Sequence, residues 1–108
     1  MRRRLSDRER VLRSVPESEF QRSVVEAAEA LGWKMIFHDN DSRRNTAGLP
    51  DLILARERVV FAELKSETGR VSSEQMMCVS LLRRAGAEVY IWRPSDMDAV
   101  MELLKGGN

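Results

Sequence analysis

Cysteine and histidine are almost missing from this chain: Cys78 and His38 each stand alone among 108 residues. A single cysteine permits no intrachain disulfide, and one cysteine with one histidine cannot build a Cys/His zinc cluster. Any bound metal must therefore be held by carboxylates, which selects a hard ion such as Mg²⁺ or Mn²⁺. No apolar run approaches the roughly 20 residues that a membrane helix needs, so no membrane association is expected. Nothing in the chain points to a nucleotide cofactor. The lone thiol, together with an N-terminus that lacks a signal-peptide pattern, suits a reducing cytoplasm.

Net charge is also scarce, at +1, but it is unevenly spread. Residues 1–14 carry six arginines (Arg2, Arg3, Arg4, Arg8, Arg10 and Arg13) against Asp7 and Glu9, a balance of +4. The rest holds 12 basic and 15 acidic residues, a balance of −3. A basic arm over residues 1–15 on a mildly acidic body is compatible with a nucleic-acid partner. It is equally compatible with a solubilising terminus.

The remainder, residues 16–105, reads as one domain. Pro16, Glu17 and Glu19 open a helix whose apolar positions Phe20, Val24, Ala27, Ala28 and Leu31 recur at helical spacing. Gly32 should stop it. Trp33–His38 reads as a strand, residues 39–48 as a polar loop, and Asp51–Ala55 with Val59–Leu64 as a hairpin. The turn between them lacks the usual Gly or Asn. Ser72 and Gln75 form a capping box for a helix over Ser73–Ala85 that ends at Gly86. Val89–Trp92 is a further strand, and Ser95 with Asp98 is expected to cap a last helix through Leu104. Both hairpin strands are apolar on both faces, Leu52 and Leu54 against Ile53, and Val60 and Ala62 against Phe61. This predicts helices on both sides of the sheet.

Against that background, three charges stand out. Asp51 opens one buried strand, and Glu63 and Lys65 close the next. Burying a charge in an apolar strand costs several kcal/mol unless something pairs with it. Alternation puts Glu63 and Lys65 on one face with Leu64 turned away, and antiparallel pairing puts Asp51 beside Glu63 or one residue diagonal to it. Two carboxylates so placed repel, and a divalent cation between them removes the penalty. A structural salt bridge would explain Glu-x-Lys on its own. It does not explain the Gly-x-Pro-Asp one hairpin earlier.

Gly48-Leu49-Pro50-Asp51 followed by Glu63-Leu64-Lys65 resembles the PD-(D/E)-x-K nuclease signature. The flanks resemble its VRR-NUC branch, particularly small stand-alone viral and bacterial members. These flanks are Glu17 and Gln21 on a helix ending in Gly32-Trp33, the Ser72/Gln75 helix, and the closing segment Val89–Asp96. The resemblance implies a restriction-endonuclease-like α-β-β-β-α-β core, a central mixed sheet flanked by helices. It also implies Mg²⁺- or Mn²⁺-dependent phosphodiester hydrolysis. Asp51, Glu63 and the Leu64 carbonyl would be metal ligands, and Lys65 would orient the attacking water and stabilise developing charge. Related small members act as homodimers on branched DNA such as four-way junctions. That extends the expectation to a junction-resolving endonuclease in the cytoplasm of a bacterium, or of a host if the chain is viral. The alternatives are a nicking or restriction-like nuclease on duplex DNA and a catalytically idle DNA-binding module.

Two residues extend the expected catalytic set. A fourth acid comes from the first helix in this family, where Glu17 lies on the stripe with Phe20 and Val24, while Glu19 falls on the polar face. Gln75 is placed by the resemblance near the scissile phosphate, although its capping box explains it equally well. Arg43, Arg44 and Asn45 in the loop feeding Asp51, with Arg70 in the loop after Lys65, are candidate DNA contacts. Met76, Met77, Cys78, Leu81 and Leu82 read as core or dimer interface.

Overall fold

A computed structural model describes residues 3–38 and 48–106. Helices α1 (Asp7–Ser14) and α2 (Glu17–Ala30) come first, and strands β1 (Lys34–His38), β2 (Leu52–Ala55) and β3 (Val59–Leu64) follow. Helix α3 (Ser73–Arg84), strand β4 (Val89–Trp92) and helix α4 (Met97–Leu104) complete the order. The arginine-rich arm is thus partly helical. Its Ser6-Asp7-Arg8-Glu9 forms a full capping box, with the Glu9 N–H donating to Ser6 Oγ at 3.1 Å and the Ser6 N–H donating to Glu9 Oε1 at 2.9 Å. These bonds satisfy two of the amide donors that a helix start leaves open.

The described strands form one sheet in the order β1-β2-β3-β4. The β1/β2 and β2/β3 pairs are antiparallel, whereas β3/β4 is parallel, with α3 as the crossover that a parallel pair requires. Leu52 pairs with Ala62 and Ala55 with Val59, so the turn is the three residues Arg56, Glu57 and Arg58. The edge strand β1 carries a bulge between Met35 and Phe37.

Alternation then sorts the side chains. Leu52, Leu54, Val60, Ala62, Leu64 and Trp92 face α2 and α4, where they meet Phe20, Val24, Ala28, Val100, Leu103 and Leu104 in one core. The helical stripe read from the sequence is therefore the buried one. The opposite face carries Glu63 and receives α3, whose Gln75 bonds to it. Coverage there is thinner: Ile53 and Phe61 are half-buried and Val59 is exposed, because α3 lies toward β4. Helices flank both sides as expected, but unequally.

Arginines explain the turn without Gly or Asn. Arg56 Nη1 donates to the carbonyls of Leu31 and Leu104, each at 3.1 Å, at the C-terminal ends of α2 and α4. Its guanidinium lies 5.1 Å from the Trp33 ring centroid, and that of Arg58 lies 5.7 Å away. Buried Trp33 in turn donates Nε1–H to the Leu104 carbonyl at 2.9 Å. A cation at two helix C-termini and over an indole holds the hairpin loop from outside the turn.

One expectation fails at the last helix. Neither Ser95 nor Asp98 caps α4. Pro94–Asp96 forms a 3₁₀ turn first, and Asp96 Oδ2 accepts from the Arg93 N–H at 2.8 Å. The fixed φ of Pro94 starts the helical turn early and moves the return bond to Asp96. The Ser95 N–H instead donates to Glu67 Oε1 at 3.0 Å.

Replacing Arg56 by Met should destabilise the fold by about 2 kcal/mol, since two charge-assisted bonds to carbonyls are lost. Chemical denaturation would measure this.

Candidate active site

Where β2 begins and β3 ends, the predicted acids converge. Asp51 immediately precedes β2 and accepts a hydrogen bond at Oδ2 from the Leu64 N–H, 2.9 Å. Continuing the register of Leu52 with Ala62 sets it opposite Glu63. Glu63 is the buried charged residue of the described core, with 1% of its surface exposed. Its Oε2 accepts from Gln75 Nε2 at 2.6 Å and faces Lys65 Nζ at 3.6 Å. Its Oε1 is buried and has no hydrogen-bond partner among the described residues.

This arrangement is electrostatically unfavourable for an ionised pair. Burial is the largest cause raising the Glu63 carboxyl above its ordinary 4.5, to about 8. The neighbouring Asp51 charge adds to the rise, Lys65 opposes it, the close approach of the Asp51 side chain raises it further, and the Glu17 charge contributes a little more. Glu17 is half-buried at the start of α2, close enough for its charge to act on Glu63, whereas Glu19 is exposed. Among the described residues no group of three His, Cys, Asp or Glu side chains is set to hold a metal. Asp51 and Glu63 offer two carboxylates, and further ligands would have to come from backbone or water.

Gln75 forms the capping box and also reaches Glu63. Its Oε1 accepts from the Ser72 N–H at 2.8 Å, and its Nε2 donates to Glu63. Because the capping bond uses the carbonyl end, the amide must turn its donor end toward the acid. Arg70 is exposed in the loop after Lys65. Arg43, Arg44 and Asn45 lie outside the described residues. On α3, Met76, Met77 and Leu81 are exposed and Cys78 and Leu82 half-buried, so the cluster is a surface feature more than a core.

Arg93 also acts on this region, although nothing in the sequence marks it out. Its Nη1 donates to the carbonyls of Ser66, Glu67 and Gly69 at 2.7, 3.2 and 2.8 Å, which fixes the loop directly after Lys65. The Lys65 N–H donates to the Trp92 carbonyl at 3.0 Å, so β4 anchors the lysine backbone as well. An arginine after a strand carries no pattern of its own, and only the tertiary contact reveals its role.

The family model of the VRR-NUC domain matches residues 1–96, most of the chain and including the arginine-rich segment. The chain belongs to the VRR-NUC family. It is accordingly a nuclease domain whose substrate is DNA, from a group generally dependent on divalent metal, and its mixed sheet with flanking helices is consistent with a restriction-endonuclease-like core. No curated protein and no solved structure matches the chain. No helix among the described residues is long and apolar enough to cross a membrane.

The raised Glu63 carboxyl sets a pH dependence for the metal-free VRR-NUC domain. A carboxyl that titrates higher in the folded chain stabilises it fully below about pH 4.5, and that contribution is lost as pH rises through about 8. Melting temperature in EDTA should fall across this window. Glu63→Gln should flatten the fall and melt higher than wild type at its alkaline end.

Proposed function

We propose that this chain is a Mg²⁺- or Mn²⁺-dependent endodeoxyribonuclease, selective for branched DNA of the four-way-junction kind and active as a homodimer. The observation that carries the reading is the buried Glu63 Oε1, an acceptor without a donor, beside a second carboxylate. Hard oxygen donors with one orphaned atom fit a hard divalent cation. Asp51 and Glu63 would hold it, with the Leu64 carbonyl as a further ligand. The ion supplies charge neutralisation at the scissile phosphate and acidifies water.

The remaining work falls to the protein's own groups. Lys65, with its side chain only 14% exposed, presents an ammonium 3.6 Å from Glu63 Oε2, where it orients the attacking water and offsets charge developing on the phosphate. Gln75 holds Glu63 in one rotamer. Glu17 is the further acid nearest in charge to the site. Exposed Arg4, Arg8 and Arg13, the last two on α1, and exposed Arg70 offer sequence-independent phosphate contacts. Arg43, Arg44 and Asn45 remain candidates of the same kind.

The deciding assay incubates the protein with labelled linear, flap and four-way DNA in EDTA, Mg²⁺ or Mn²⁺. Cleavage only with metal, and fastest on the four-way substrate, is the expected result. Equal rates on linear duplex would favour the nicking or restriction-like alternative, and binding without cleavage in either metal would favour the idle module. Asp51→Asn should abolish cleavage, Glu17→Gln should slow it about tenfold, and Glu19→Gln should leave it near wild type.

The homodimer reading rests on α3, where Met77 and Leu81, one turn apart, are 66% and 57% exposed beside Met76 at 42%. A contiguous apolar strip on a small domain suits a self-complementary two-fold contact. Two copies would also present two sites to opposed strands. Met77→Lys should therefore shift the mass measured by light scattering from dimer to monomer. A wild-type protein already monomeric at high concentration would remove this part of the proposal.

A further inference from the structure

The turn that carries Asp51 and the helix that carries Gln75 touch at Gly48. Its φ is +86°, a backbone conformation open to glycine and strained for other residues. A second constraint is tighter. A Cβ on this residue would lie 2.4 Å from the Glu74 carbonyl oxygen, 2.6 Å from its carbon and 3.1 Å from the Gln75 nitrogen. These are backbone atoms in the first turn of α3, so no flexible side chain could move aside. Gly86 offers a contrast within the same molecule. Its φ is +94°, yet a Cβ there would meet nothing within 4 Å.

The contact joins two arms of the site. Three residues after Gly48, Asp51 accepts from the Leu64 N–H at 2.9 Å. On the other arm, the peptide that Gly48 abuts leads directly into Gln75, whose Nε2 holds Glu63 Oε2 at 2.6 Å. Gln75 cannot follow a displaced Glu63 freely, because its Oε1 is held by the Ser72 N–H at 2.8 Å. Pro50, fully buried between Gly48 and Asp51, stiffens the first arm.

We propose that Gly48 is a positioning residue: by seating the Asp51 turn on the Glu74–Gln75 peptide, it sets the separation of the two acids and leaves Glu63 Oε1 as the oxygen offered to an ion. The ion part of this statement rests on the reading of Asp51 and Glu63 as a metal-holding pair, whereas the contact itself does not. A side chain at position 48 would drive the turn and α3 apart, lengthening the Gln75–Glu63 bond and reorienting Asp51 together. The effect is one of spacing, so it should be separable from plain loss of stability.

The test compares wild type with Gly48→Ala, Gly86→Ala, Gln75→Met and Asp51→Asn. In metal-free protein, the Leu64 backbone amide and the Gln75 side-chain amide are followed by NMR, and Mn²⁺ affinity is then measured by calorimetry. Gly86→Ala carries the positive-φ strain alone, and should lower melting temperature with both amide signals and Mn²⁺ affinity kept. Gly48→Ala should shift both amides and weaken Mn²⁺ binding about tenfold, and adding Gln75→Met to it should weaken binding no further, as expected for residues acting through one contact. A folded Gly48→Ala protein that behaves like Gly86→Ala overturns the proposal. Should Gly48→Ala fail to fold, Gln75→Met decides: Mn²⁺ affinity retained in that variant overturns it, and a loss of about fivefold supports it. Mn²⁺ binding undiminished in Asp51→Asn would sink the metal-holding pair and leave the two amide signals to decide the Gly48 contact.

Discussion

A carboxylate buried at a strand end beside a second acid is a poor way to stabilise a small domain, and Glu63 is such a group. Everything nearby is arranged around that cost. The Leu64 N–H restrains Asp51, Gln75 ties up one Glu63 oxygen, and Lys65 supplies partial compensation from 3.6 Å. The second oxygen is left without a donor. A purely structural ion pair would have satisfied it, because an unpaired buried acceptor costs about 1–3 kcal/mol. The arrangement therefore costs the metal-free fold stability, and the proposed metal-holding role gives that cost a purpose. This local violation of polar satisfaction is the physical content of the nuclease signature in this chain.

Much of this is legible in the sequence alone. Apolar positions at a period of two or 3.6 reveal which residues face the core, since burial acts on every turn or pleat. Thus β1, β2, β3, β4 and the buried stripe of α2 follow from the sequence to within a residue or so. Asp51, Glu63 and Lys65 were visible because charge inside an apolar strand is improbable without a reason. Features that depend on contacts between distant residues were not visible. Arg56 replaces the turn glycine by bonding to two helix ends 25 and 48 residues away, and Arg93 holds a loop 24 to 27 residues back. Neither has a local signature.

Two other features carry local signals of their own, one overshadowed by charge and one ambiguous. Ser6-Asp7-Arg8-Glu9 is as complete a capping box as Ser72-Ser73-Glu74-Gln75, yet the surrounding arginines draw attention to charge and away from the cap. At the last helix, Ser95 with Asp98 looked like a cap, but Pro94 starts a 3₁₀ turn first, and the Asp96 carboxylate closes that turn, while α4 has no side-chain cap. Gln75 shows why cap and site need not compete. One amide has two ends, and the capping box uses only its carbonyl.

Among the described residues the sheet has two open margins, and each is built against recruitment of another strand. β1 carries its bulge between Met35 and Phe37, which breaks the regular spacing of outward amides and carbonyls that an incoming strand would need. β4 is only four residues long and runs within two residues into Pro94. Ile36, 61% exposed at the irregular point of β1, would otherwise be an adhesive position. Self-association of this chain is thereby steered away from sheet extension, so that a concentrated solution should resist cross-β fibril growth even with an apolar residue displayed on its margin.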